Sequence, residues 1–175
     1  VFGNGMLLSQ TMQLVAAFDH RHIFIDPDPD PAKSWDARKM LFEKPRSNWM
    51  DYPQDVMSEG GGIYPRGAKS ITLSEEARKA LGITIEEMSG PDLIQHILAA
   101  PSDLLWNGGI GTYIKSDKES NIDAGDPPND SVRINASRVR AKVMGEGGNL
   151  GITSKGRCQL ASQGVRLNTD AIDNS

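Results

Sequence analysis

The stretch AKVMGEGGNLGITSKGR, Ala141 to Arg157, holds the residues best placed for chemistry: the carboxylate of Glu146 and the carboxamide of Asn149, set among Gly145, Gly147, Gly148 and Gly151. Val143 and Met144 read as a short apolar strand feeding this turn. Glycines remove the Cβ atoms that would keep a ligand from the backbone, and α/β proteins build ligand crevices beyond strand C-termini. A glycine cluster alone is explained equally well as a tight turn needing positive φ. Its neighbours shift that balance. LLWNGGIGTYIK, Leu104 to Lys115, carries Asn107, Gly108, Gly109 and Thr112, and RLNTDAIDNS, Arg166 to Ser175, ends at Asn174. Each is a short apolar run closing on Asn and small residues, and three such strand ends point to one crevice.

Asp19 is a second candidate. It follows the apolar run Leu14 to Phe18, which reads as a buried parallel strand. A carboxylate beyond the second strand of a dinucleotide fold accepts bonds from both ribose hydroxyls of an adenosine and repels a 2′-phosphate. An exposed aspartate capping a turn is the competing explanation, and Arg21, between His20 and His22, could instead accommodate that phosphate. Upstream, Gly3, Asn4 and Gly5 precede an amphipathic segment, Asn4 to Gln13, that reads as a helix opening towards an anion. Gly3 to Asp19 is shorter than the ~20 residues of the dinucleotide fingerprint, so the leading glycines of that motif are expected before Val1.

Other chemistries have less support. His20, His22, Asp26, Asp28 and Asp30 form a cluster rich in metal-binding types, but Pro27, Pro29 and Pro31 hold the acidic segment extended, unlike the glycine-bent loops of calcium sites. No metal is expected. Cys158 reads as a packing residue on a helix; as the only cysteine it rules out an intrachain disulfide and a multi-cysteine zinc site, and it fits a reducing cytoplasm. No Ser, His and Asp fall into a nucleophile motif. The net charge of −4, with acids and bases interspersed, argues against a nucleic-acid partner. No apolar stretch approaches the ~20 residues of a membrane span.

The elements that must position these residues alternate. After the strand ending at Phe18, a short strand is expected over His22 to Asp26 and a helix over Pro31 to Lys44. An irregular insertion spans 45–70. Thr72 and Glu75 form a capping box for a helix to Leu81 with Gly82 as its C-cap, and another helix runs from Gly90 to before Pro101. Strands are expected at Leu104 to Trp106, at Val143, and at Val165 to Leu167, with a solvated polar excursion at 116–130 and a helix over Gly151 to Leu160. With 175 residues, 38% of them hydrophobic, one domain is expected. The alternation is that of an α/β, Rossmann-like, doubly wound and mainly parallel sheet.

Together with VFGNGMLLS and VAAFDHRHIFIDP, these segments resemble, in order and over nearly the whole chain, the large NAD-specific glutamate dehydrogenases of bacteria. The resemblance implies an internal excerpt of a much longer polypeptide, truncated before its first strand, with the substrate-binding half, a long N-terminal region and the catalytic Lys and Asp all upstream. It implies NAD as cofactor, held by Gly3, Asn4, Gly5, Asp19, Asn107, Gly108, Gly109, Asn149 and Asn174, with Asn149 near the nicotinamide ribose. Carboxamides suit that work because they donate and accept at once. No catalytic residue is expected within the chain, whose parent would convert glutamate to 2-oxoglutarate as a cytoplasmic homo-oligomer. A noncatalytic dinucleotide-binding or regulatory module, or a dehydrogenase of another amino acid, is also compatible with these residues.

Overall fold

A computed structural model describes residues 5–173. Gly3, Asn4 and Asn174 lie outside the described residues. The chain divides between Ile97 and Leu98 into two compact units.

The first unit is built on a three-stranded antiparallel sheet of β1 (Ala16–Phe18), β2 (His22–Ile25) and β3 (Gly62–Pro65), in that order. The run ending at Phe18 is therefore not a parallel strand. Asp19 accepts the Arg21 and His22 amides at 2.7 Å each, reversing the chain within a few residues; a parallel partner would need a crossover of a dozen or more. β3 emerges from the stretch expected to be irregular and pairs with β2 from Ile25↔Gly62 to His22↔Pro65.

Helix α1 (Pro31–Glu43) starts where Asp30 accepts the Lys33 amide at 3.0 Å, with proline in the first turn as the sequence predicts. It buries Ala37 and Leu41 against Phe24, Trp49 and Tyr52, and Phe24 stacks on Trp49 with ring centroids 4.5 Å apart. The helix expected over Asn4 to Gln13 does not form: residues 5–13 are turns and bends. The buried guanidinium of Arg38 takes the carbonyls of Met6 at 2.5 Å and Met12 at 3.5 Å, bonds that hold this segment in irregular form.

Strand β4 (Ile71–Thr72) pairs antiparallel with β5 (Glu87–Met88), flanking helix α2 (Glu75–Leu81). Ser74, not Thr72, caps α2, because Thr72 is committed to β4 and the Ser74 hydroxyl accepts the Ala77 amide at 3.0 Å. Gly82 ends the helix at φ 65°, as its type predicts. Helix α3 spans Gly90–Leu98.

The second unit carries the parallel pairing. Strands β6 (Leu104–Asn107), β7 (Ile114–Lys115), β8 (Ile134–Asn135), β9 (Val143–Glu146) and β10 (Arg166–Leu167) form two small parallel sheets, β6-β9-β10 and β7-β8. Helix α4 (Asn121–Ala124) closes a capping box between Ser120 and Asp123, α5 (Ser154–Ser162) starts at the Thr153 cap, and α6 (Asp170–Asp173) follows β10. The core comprises Ile114, Val132, Ile134, Ala136, Met144, Ile152 and Leu160. The polar excursion is tied down: buried Arg133 donates to the Thr112 carbonyl at 2.8 Å, the Asp126 carbonyl at 2.6 Å and Asp130 at 2.5 Å. The architecture is mixed α/β with small parallel sheets.

Candidate functional site

Parallel pairing of β6 with β9 sets Asn107 directly beside Glu146 at the C-terminal ends of adjacent strands. The two following turns lock together, the Gly148 amide donating to the Asn107 carbonyl at 3.0 Å. The glycines are there for close approach. A Cβ on Gly148 would lie 2.0 Å from the Gly109 carbonyl oxygen, one on Gly151 would lie 1.6 Å from Asn107 Nδ2, and one on Gly145 would lie 2.4 Å from the Trp106 ring. None of Gly145, Gly147, Gly148 and Gly151 has positive φ; the left-handed residue of the turn is Leu150, at φ 54°.

Glu146 is an anchor of the turn. Its side chain is 1% exposed, bonds Arg157 Nη2 at 2.5 Å through Oε2 and accepts the Ile152 amide at 3.2 Å through Oε1. The Glu146 amide donates to Asp173 at 3.0 Å and the Leu150 amide to Asp170 at 3.1 Å. The Leu150 amide, as the main cause, holds the Asp170 carboxyl below its usual range. Thr112, a strand-end candidate, is likewise structural: its hydroxyl donates to the Leu150 carbonyl at 2.7 Å, and its amide donates to Asp126, whose carboxyl is lowered chiefly by that bond. The Tyr113 amide adds a bond of 2.8 Å to the Gly151 carbonyl.

What this framework exposes is Gly108, Gly109, Ile110, Asn149 and Leu150. Asn149 makes no hydrogen bond among the described residues, and buried Asn107 Nδ2 has no partner. The edge is thus a glycine-lined rim with a free carboxamide and an unused amide donor. Within this unit Gly148, next to Asn149, meets Asn107 and Gly109 of the turn after β6.

Gly5, at φ 83°, and Asp19 belong to the first unit. The Asp19 side chain is 8% exposed and its Oδ1 caps the β1–β2 turn, while Oδ2 carries no hydrogen bond among the described residues. Arg66 donates to the Asp19 carbonyl at 2.9 Å. The neighbouring acids serve the fold: buried Asp26 accepts the Ser58 amide and hydroxyl, and Asp30 caps α1. Cys158 is exposed on α5 and does not pack. No helix among the described residues is long and apolar enough to cross a membrane. Sequence reasoning missed Arg157, Asp170 and Asp173 as supports of the turn. The available signal was a lone Arg on the helix after a buried carboxylate, and two acids three apart beyond the last strand.

Residues 1–175 match the family model described as bacterial NAD-glutamate dehydrogenase, catalytic domain. Among curated relatives, the NAD-specific glutamate dehydrogenases of Mycobacterium tuberculosis, Halomonas elongata and Pseudomonas aeruginosa are 59%, 53% and 52% identical, each alignment covering 100% of this chain. The chain spans 11% of the length of each of these relatives.

Proposed function

We propose a function from one premise: the chain belongs to the family of bacterial NAD-glutamate dehydrogenase catalytic domains. It forms part of the NAD-binding region of a larger enzyme that converts L-glutamate, NAD and water to 2-oxoglutarate, ammonium and NADH. The observation carrying this is the match across all 175 residues to proteins of that name at 52–59% identity. The finer architecture we assign is a Rossmann-like, doubly wound arrangement for the parallel strands, with insertions near 45–70 and 116–130. The enzyme would work in the cytoplasm as a homo-oligomer.

The rim of the second unit fits a dinucleotide. Backbone close-packed through glycines leaves room at Gly109, and Asn107 Nδ2 is a buried donor without an acceptor. NAD, when bound, supplies the hydride acceptor. Asn149 would orient the nicotinamide ribose through a carboxamide that donates and accepts, with Asn107 on the neighbouring strand end and Asn174 as a further cofactor contact. Gly3, Asn4 and Gly5 would lie against the pyrophosphate. Asp19 would keep Oδ1 on its own turn and offer Oδ2 to the adenosine ribose, its charge disfavouring a 2′-phosphate. No residue here is assigned proton transfer, which falls to the remainder of the polypeptide.

The test compares the full-length enzyme with the 175-residue chain. Full-length protein should form NADH from glutamate and the chain alone none. NADH formation by the isolated chain would overturn the division of labour. A full-length protein that binds NAD without turnover would instead be a sensory module, and one preferring a different amino acid would correct the substrate.

A further inference from the structure

Leu150 is out of place by conformational rules. L-residues other than glycine pay a steric penalty in the left-handed region, which Asn and Asp relieve best. Yet in Gly147-Gly148-Asn149-Leu150-Gly151 every glycine avoids positive φ and Leu150 adopts it, at 54°. The surroundings enforce the conformation from both sides of the residue, the Leu150 amide being held by Asp170 at 3.1 Å and its carbonyl by the Thr112 hydroxyl at 2.7 Å. The side chain gains little packing in return, since Leu150 remains 60% exposed. Ile110, on the adjoining turn that Gly109 presses against Gly148, is 91% exposed. A strained backbone position that puts an apolar side chain into solvent at a strand C-terminal edge belongs to a site, not to a core.

We infer that Leu150 is an apolar contact for the nicotinamide ring of NAD, held in a left-handed conformation so that its side chain projects from the same turn that presents Asn149. Asn149 serves the polar ribose, and Leu150 covers a ring face that offers no hydrogen bonds of its own. Ile110 is the second apolar residue of the rim. The inference rests on the NAD reading of this edge and adds to it the residue that distinguishes the nicotinamide half from the rest of the dinucleotide.

The conformation provides its own control. Glycine and asparagine tolerate positive φ better than leucine, so Leu150→Gly and Leu150→Asn keep or relax the turn while removing the apolar surface. In full-length enzyme, equilibrium titrations with NAD and with ADP-ribose, which lacks nicotinamide, separate the two halves of the ligand. Both variants should bind NAD about tenfold more weakly, the loss expected for one partly covered leucine. ADP-ribose affinity should stay within about twofold, Leu150→Met should retain NAD affinity, and melting temperature should hold or rise. Equal weakening of both ligands, unchanged NAD affinity, or a fall in melting temperature that accounts for the loss would overturn the inference and leave the NAD reading intact. Wild-type enzyme that binds neither ligand would overturn both.

Discussion

Replacing Arg157 with Met tests whether the Glu146–Arg157 pair holds the glycine turn after β9. The Glu146 side chain is 1% exposed, and without Arg157 its carboxylate keeps the Ile152 amide as its side-chain partner. Breaking a buried pair by removing one partner costs about 3–5 kcal/mol, since the remaining charge is left in a medium that solvates it poorly. Arg157 is itself 15% exposed, so water entering its place would soften the loss towards about 3 kcal/mol. In the full-length enzyme a global melting transition reports gross folding and does not isolate one turn. Local amide exchange over the 143–157 stretch is the suitable assay, where about 3 kcal/mol appears as roughly 100-fold faster exchange. Glu146→Gln keeps an acceptor for Ile152 while removing the charge that needs Arg157. In the Glu146→Gln background, Arg157→Met should then cost about 2 kcal/mol less than in wild type, a coupling typical of contacting groups. Additive effects, or unchanged exchange in Arg157→Met, would show that the turn is held by its backbone bonds and that the pair is incidental.

Three further outcomes follow from the same geometry. Asp19→Asn preserves an Oδ1 acceptor for the Arg21 and His22 amides, so the full-length variant should stay folded while its NAD over NADP preference narrows, by about 1–3 kcal/mol of charged hydrogen bonding; unchanged kinetics with both cofactors would reduce Asp19 to a turn cap. The Asp170 carboxyl is lowered below 3.8 by the Leu150 amide, so its contribution to the turn is complete above that value and is lost only as pH falls through the lower folded-state value. Exchange protection at Leu150, corrected for intrinsic rate, should therefore be flat from about pH 5 to 8, and a decline within that window would contradict the assignment. Gly148→Ala would force a Cβ to 2.0 Å from the Gly109 carbonyl oxygen and should loosen both turns by about 1–3 kcal/mol, read as faster exchange in 107–110 and 147–151 together.

Strand ends and the proline and glycine that bound helices were the legible part of this chain, because their signals are local. Pro31 marks the start of α1, Gly82 ends α2, and Asn107 ends β6 while Asn149 lies on the turn after β9, beyond apolar runs that stop at small polar residues. Direction was not legible. The run before Asp19 looks the same as a parallel or antiparallel strand, and the reversal depends on an aspartate bonding two amides beyond it. The helical pattern over Asn4 to Gln13 was overridden from a distance, by a guanidinium on α1 more than twenty residues away. The glycines of the turn supply close approach rather than positive φ, and what approaches is the chain's own Gly109, Asn107 and Trp106. Glu146 read as a ligand candidate because burial, and the arrival of Arg157 from the next helix, are tertiary facts.

The central claim, that the β6–β9 edge holds the nicotinamide half of NAD, is tested most directly by Asn149→Ala in the full-length enzyme. Asn149 is exposed and makes no hydrogen bond among the described residues, so its removal should leave local exchange and melting temperature unchanged. A misplaced ring loses the near-attack geometry of hydride transfer, and kcat/KM for glutamate oxidation should fall by at least about tenfold, roughly 1.4 kcal/mol of transition-state stabilisation. A variant that melts early and loses activity only in proportion to its unfolded fraction, or one that keeps full kcat/KM, would contradict the claim.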